Sequence, residues 1–240
     1  MSVNILGKKY RIATTTKLNL SYKSLIELPE SIGRLSNLET LYLNYNNLTE
    51  LPESIGSLSN LKTLIISNNK LTELPESIGS LYNLKFLDLS YNNLTRLSES
   101  IGNLSNLQKL DLENNKLTYL PESIGMLSNL EYLYLYNNNL TSLPNQIGSL
   151  YNLEILSLEK NNLTSLPESI EIFTNIKKLI LNESSYEINN LSMDCHTLIL
   201  TDIDNNITNL PPILKTLYLK HCVNVDMIKL PYGCDIIRFE

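Results

Sequence analysis

Leucines recur along this chain in a fixed phrase, Leu-x-x-Leu-x-Leu-x-x-Asn-x-Leu. Leu38, Leu41, Leu43, Asn46 and Leu48 fill it, and Leu61, Leu64, Ile66, Asn69 and Leu71 fill it again 23 residues on. The frame returns with the same step at Leu84, Leu107, Leu130 and Leu153. A weaker copy lies upstream at Leu18, Leu20 and Leu25, with Lys23 in the asparagine place. Another begins at Ile176 and has Ser184 in that place. A second phrase, Leu-Pro-Glu-Ser-Ile-Gly-x-Leu-x-Asn-Leu, runs between the blocks, as from Leu51 to Leu61.

Each half of the unit predicts an element. Leu-x-Leu alternates with period two, which makes a short strand carrying both leucines on one face. The Pro-Glu-Ser-Ile-Gly half spaces its apolar residues by about three, which suits a turn or two of helix or 3₁₀ structure. Proline fits the first helical position, and the glutamate after it fits the positive end of the dipole. One strand and one return segment in 23 residues make one coil. Such a coil cannot bury its leucines alone, so coils must stack into an α/β repeat solenoid with a parallel sheet on one side.

Asn46, Asn69, Asn92, Asn115, Asn138 and Asn161 hold one register. An amide side chain brings two donors and an acceptor, enough to satisfy turn backbone left unpaired where each strand ends. Stacking turns these six into a ladder beside the leucine core.

Composition agrees with a repeated unit. The chain holds fifty leucines and thirty-two asparagines in 240 residues, with no tryptophan and two histidines. Its net charge of -6 argues against a broad phosphate-binding surface. The first residues lack a long apolar run after a basic head, so no signal peptide is expected, and no stretch is apolar enough to span a membrane. Three cysteines, Cys195, Cys222 and Cys234, fall late in the chain. The odd count without a secretory signal argues for reduced thiols and a cytoplasmic setting. Cys195 and Cys234 take the first leucine position and Cys222 the asparagine position, so they read as small hydrophobes. A zinc site from Cys195, His196, His221 and Cys222 lacks the Cys-x-x-Cys spacing, and Cys195 and His196 point to opposite strand faces.

The combined phrase, Leu-x-x-Leu-x-Leu-x-x-Asn-x-Leu-x-x-Leu-Pro-x-x-Ile-Gly-x-Leu-x-x-Leu, resembles the leucine-rich repeat. It is most similar to the 23-residue intracellular kind found in Ras-pathway scaffolds and their plant relatives. The resemblance implies a horseshoe with its parallel sheet on the concave face and short helical or extended returns on the convex face. It spans residues 15–185, after an N-terminal cap at 1–14. Beyond, the step shortens to 19 or 20 residues at Cys195, Leu214 and Cys234. That segment, 186–240, is similar to the shorter repeats of bacterial effector proteins and implies extended returns. No linker separates the two, so one continuous solenoid of about eleven coils, roughly 50 Å long, is expected.

The sequence carries no Gly-rich phosphate loop, His-Glu-x-x-His helix or Gly-x-Ser-x-Gly elbow. Asp88 and Asp111 would be lateral neighbours on the sheet, but an open face offers no dry pocket to separate their pKa values. No enzyme activity and no cofactor are therefore expected. The glutamates Glu30, Glu53, Glu76, Glu99, Glu122 and Glu168 form a convex row that reads as helix-start charge keeping that face soluble.

The strand positions between the leucines face the concave side. With the positions just after each strand, including Tyr22, Tyr45 and Tyr91, eight of the fourteen tyrosines fall on that surface. Tyr132, Tyr134 and Tyr136 cross one strand, with Phe86 and Ile155 near them and Asp88, Asp111, Glu113 and Glu159 alongside. Tyrosine is enriched at binding hot spots, and it is also a good strand former; both readings fit. As a site, the patch suits a basic or mixed protein surface rather than nucleic acid. The expectation is a monomeric scaffold binding a protein partner. The resemblance makes a small GTPase or a phosphatase conceivable. The substrate-reading module of a ubiquitin-ligase-like effector and an extracellular receptor fragment are the alternatives. The first lacks a catalytic domain here, the second a signal peptide and cysteine-rich caps.

Overall fold

Each Leu-x-Leu pair forms a strand whose leucines turn inward. Leu41 and Leu43 are fully buried, while Thr40 and Tyr42 stay partly exposed. The computed structural model describes residues 1–173, 175–182, 195–201, 210–220 and 230–239. Two antiparallel strands, β1 (Ser2–Ile5) and β2 (Lys8–Arg11), open the chain. Eleven parallel strands follow: β3 (Lys17–Asn19), β4 (Thr40–Tyr42), β5 (Thr63–Ile65), β6 (Phe86–Asp88), β7 (Lys109–Asp111), β8 (Tyr132–Tyr134), β9 (Ile155–Ser157), β10 (Lys178–Asn182), β11 (Thr197–Thr201), β12 (Thr216–Lys220) and β13 (Asp235–Phe239). Each pairs only with its sequence neighbours within the sheet, so spatial order equals chain order. The leucine-rich-repeat solenoid follows from this sheet and its short returns.

The hairpin closes the N-terminal end of the core. Leu6 and Gly7 both have positive φ, 53° and 76°, the geometry of a tight hairpin turn. Val3 and Ile5 are buried at 2% and 1% exposure, against the first return segment.

The returns are seven 3₁₀ turns among the described residues, from Glu30–Arg34 to Glu168–Ile172. Each starts one residue later than the proline pattern suggests. Pro29, Pro52, Pro75, Pro121, Pro144 and Pro167 are extended caps, with ψ between 146° and 153°, and the next residue is the first in the turn. The turns stack so closely that the recurring glycine is a steric need: a Cβ on Gly56 would sit 2.4 Å from the Ser77 carbonyl oxygen. Position 171, in the last of the seven, holds glutamate instead.

Three hydrogen-bond ladders tie coil to coil. In the inner one, Asn69 Nδ2 donates to the carbonyls of Leu43 and Ile66, both at 3.0 Å, and its Oδ1 accepts from the Leu48 amide at 3.0 Å. Asn46, Asn92, Asn115, Asn138 and Asn161 repeat the arrangement. A second, exposed asparagine ladder runs where each turn leads into the next strand: Asn60 donates to Ser36 O at 2.8 Å, and Asn129 to Ser105 O at 2.7 Å. The third belongs to the convex glutamates. Glu30, Glu53 and Glu99 each accept the amide of the serine in the next coil's turn, Ser54, Ser77 and Ser123, at 3.0 to 3.3 Å. They cap the following coil, which goes beyond mere solubility. Where Ser98 replaces proline, its Oγ accepts the Ser100 amide at 3.0 Å and donates to Glu76 at 2.5 Å, so the cap is relayed.

The core is one apolar cluster running from Val3 to Leu219. No helix among the described residues is long and apolar enough to cross a membrane. The extended returns expected of the shorter coils, together with Ser184, His221 and Cys222, lie outside the described residues.

Candidate functional site

Strand register sets the concave surface. Phe86, Lys109, Tyr132 and Ile155 stand side by side in one column, and Asp88, Asp111, Tyr134 and Ser157 in the next. Glu113, Tyr136 and Glu159 follow two residues beyond the last residues of their strands, Asp111, Tyr134 and Ser157. The nine sequence-predicted residues thus form one surface across four coils. Phe86 is the most open of its anchors, at 41% exposure, while the three tyrosines and Ile155 are partly buried.

The charged members first serve the fold. Asp88 Oδ1 accepts from the Ser90 amide at 3.0 Å and hydroxyl at 2.7 Å, and Asp111 Oδ1 accepts from the Glu113 amide at 3.3 Å. Ser157 donates to Glu159 at 2.5 Å. Lys109 sits 3.6 Å from Asp111 Oδ2 and 4.7 Å from the centre of the Tyr134 ring. Lys160 lies 5.2 Å from the Tyr136 ring, and the Tyr132 hydroxyl donates to Glu154 at 3.4 Å.

Burial here is greater than an open face suggests. The Asp111 side chain is only 17% exposed. Burial, and then the negative charge of Asp88, pushes its carboxyl above the ordinary range. Burial and then Asp111 raise Glu113, and burial followed by Asp111 and Glu113 raises the Tyr134 phenol. The sequence offers no dry pocket to separate the Asp88 and Asp111 pKa values, and the Asp111 shift arises without one. The cause is burial between strand neighbours rather than an enclosed pocket.

Residues outside the predicted set extend the surface toward the first coils. A depression of about 510 Å³ is lined by Lys17, Asn19, Ser21, Tyr22, Tyr42, Asn44 and Ile65. A second, of about 280 Å³, is lined by Tyr42, Ile65, Phe86 and Asp88 among others. They share Tyr42 and Ile65, so they form one groove. Tyr22 and Tyr45 stack beside it, ring centres 4.4 Å apart and planes 11° from parallel. Both have left-handed backbone, φ 58° and 57°, as does Tyr91 at 54°. The same slot holds Asn68, Asn114 and Asn137 in other coils. Asparagine tolerates this conformation, whereas a bulky residue is disfavoured there by roughly 1–2 kcal/mol. Lys17, Tyr42 and Ile65 were legible as concave positions. The left-handed slot was signalled by its asparagines but not by its tyrosines.

Elsewhere, Cys195 is fully buried, and burial pushes its thiol up to about 11. Cys234 is partly buried and also free. No three His, Cys, Asp or Glu side chains among the described residues gather to hold a metal ion.

Stacked parallel strands, 3₁₀ returns and an asparagine ladder define a leucine-rich-repeat solenoid with an open concave face. The chain belongs to the leucine-rich repeat family: a model of a leucine-rich repeat region matches residues 16–84 and 75–138, and a model of two leucine-rich repeats matches 128–170. Among solved structures it is similar to a leucine-rich-repeat protein of Leptospira interrogans, 31% identical, TM-score 0.55, covering 94% of this chain and 78% of that one. It is also similar to the ectodomain of the Arabidopsis thaliana membrane receptor kinase GASSHO1/SCHENGEN3 in complex with Casparian strip integrity factor 2. That match has 27% identity and a TM-score of 0.73, covering 90% of this chain and 28% of that one. A plant peptide hormone receptor in complex with RGF2 matches at 25% identity and TM-score 0.66, covering 88% and 41%. The chain thus spans less than half the length of either receptor chain. No curated protein sequence matches it.

Proposed function

We propose that this chain is a non-enzymatic interaction solenoid that docks a protein partner on its concave face. The observation that carries this reading is the register. The strands β6 to β9 turn their leucines into the core and their intervening side chains outward, so tyrosines, Phe86 and four carboxylates collect on one continuous surface. Such a surface joins large apolar area to directional charge. The complexes formed by the similar plant receptors support a proteinaceous ligand. A small GTPase or a phosphatase finds no counterpart among those structures, and the proposal does not rest on either. The same likeness favours a second reading, an extracellular ligand-binding ectodomain. Locating the chain in its own cell separates that reading from a cytoplasmic scaffold.

The test is a titration of the captured partner against two variants. Tyr134→Ala should weaken binding by about 2 kcal/mol or more, and Glu76→Ala on the convex row by almost nothing. Equal losses, or none from Tyr134→Ala, would place the binding face elsewhere.

A further inference from the structure

Resting on the concave-face reading, we propose that the groove across the first coils binds an extended peptide segment with an acidic residue at one end, a basic residue at the other and an apolar side chain between. Three large side chains, Tyr42, Ile65 and Phe86, stand on neighbouring strands of the groove floor, with the polar Asn19, Asn44 and Thr63 beside them. Its wall is the Tyr22–Tyr45 stack, whose outer ring is 68% exposed. These rings sit at left-handed positions that Asn68, Asn114, Asn137 and Lys160 fill in other coils and that only Tyr91 fills with a further ring. The fold alone therefore needs no aromatic there.

Charge fixes the occupant's polarity. At the first-coil end, Lys17 lies 5.1 Å from the Tyr42 ring and forms no ion pair among the described residues. It is available to a carboxylate. At the other end Asp88, Asp111 and Glu113 lie about Lys109, whose ammonium is 3.6 Å from Asp111 Oδ2. Burial raises Asp111 and Glu113 first, and repulsion among the neighbouring carboxylates adds to it; that second contribution marks a surplus of negative charge, which an incoming cation relieves. Three strand spacings separate Lys17 from Asp88, about 14 Å, the length of roughly four extended residues. An apolar side chain midway rests on Ile65, where the two depressions join.

The test selects a random peptide library, displayed on phage, against the full chain. Enriched peptides should carry an acid and a base about four residues apart, with an apolar residue between them. Ile65→Asp should cut their retention by about tenfold or more, with a melting curve taken alongside to show that the variant is folded at the selection temperature. Lys17→Glu should switch the preferred residue at the acidic end to a basic one, which a structural role for Lys17 would not do. Absence of enrichment, enriched peptides without this pattern, or indifference to either substitution overturns the proposal. Peptides released by Tyr134→Ala but not by Ile65→Asp would overturn it while leaving the concave-face reading intact. Peptides indifferent to both would count against both.

Discussion

Asn115 shows how much one side chain carries. Its Nδ2 donates to Leu89 O and Leu112 O, and its Oδ1 accepts from Leu94 N, so one amide joins two coils through three buried backbone groups. Asn115→Leu should lower stability by about 1–3 kcal/mol, read from the urea midpoint; an unchanged midpoint would refute the ladder's role. Asn129 makes one exposed bond that water can replace, so its loss should matter less. Asp111 costs the fold instead. Its carboxyl and that of Glu113 are raised, first by burial, so the folded chain holds these protons more tightly than the unfolded one. The stability they lend is complete below the ordinary carboxylate range and is lost as pH climbs through the raised values. Asp111→Asn keeps an acceptor for the Glu113 amide and removes the charge. It should raise the urea midpoint at about pH 7 and flatten the decline between about pH 4 and pH 7. The same slope in both proteins would contradict that assignment.

At the scale of the element, the tight spot is the stack of 3₁₀ turns. Gly56→Ala drives a methyl to 2.4 Å from Ser77 O, a rigid backbone atom, so neighbouring turns must separate. A destabilisation of about 1–3 kcal/mol is expected in thermal unfolding, and a neutral result would mean the turns are loosely packed. The leucine columns, the inner asparagines and the strand register were legible because a 23-residue step places equivalent residues side by side. The other couplings were less so. Glu53 caps a turn that starts with Glu76, and Asn60 reaches back to Ser36. Both asparagine ladders have equally perfect spacing. Only the inner one lies beside the Leu-x-Leu strand, where an unpaired turn is easy to foresee. The Leu6–Gly7 hairpin has no repeat to betray it, because it occurs once.

Over the whole molecule, each coil contacts its neighbours, and the core passes unbroken along the stack. Folding is therefore written almost wholly in leucine, asparagine and glycine positions, and the concave side chains are left free to vary. That freedom explains why the candidate site was only partly legible. Asp88 and Asp111 stood out by charge, yet they also hold turn backbone, and the groove over Ile65 needed the positions of Tyr22 and Tyr45 to be recognised. The central claim is that the concave face is the docking surface. Hydroxyl-radical footprinting of the complex tests it directly, because tyrosines mark both sides. Tyr42, Tyr132, Tyr134 and Tyr136 lie on the concave side, and Tyr82, Tyr119 and Tyr151 stand outside the sheet at 58%, 50% and 57% exposure. On partner binding, the concave tyrosines should lose reactivity and the outer three should keep theirs. Protection of Tyr82, Tyr119 and Tyr151 with the concave tyrosines unchanged would contradict the claim.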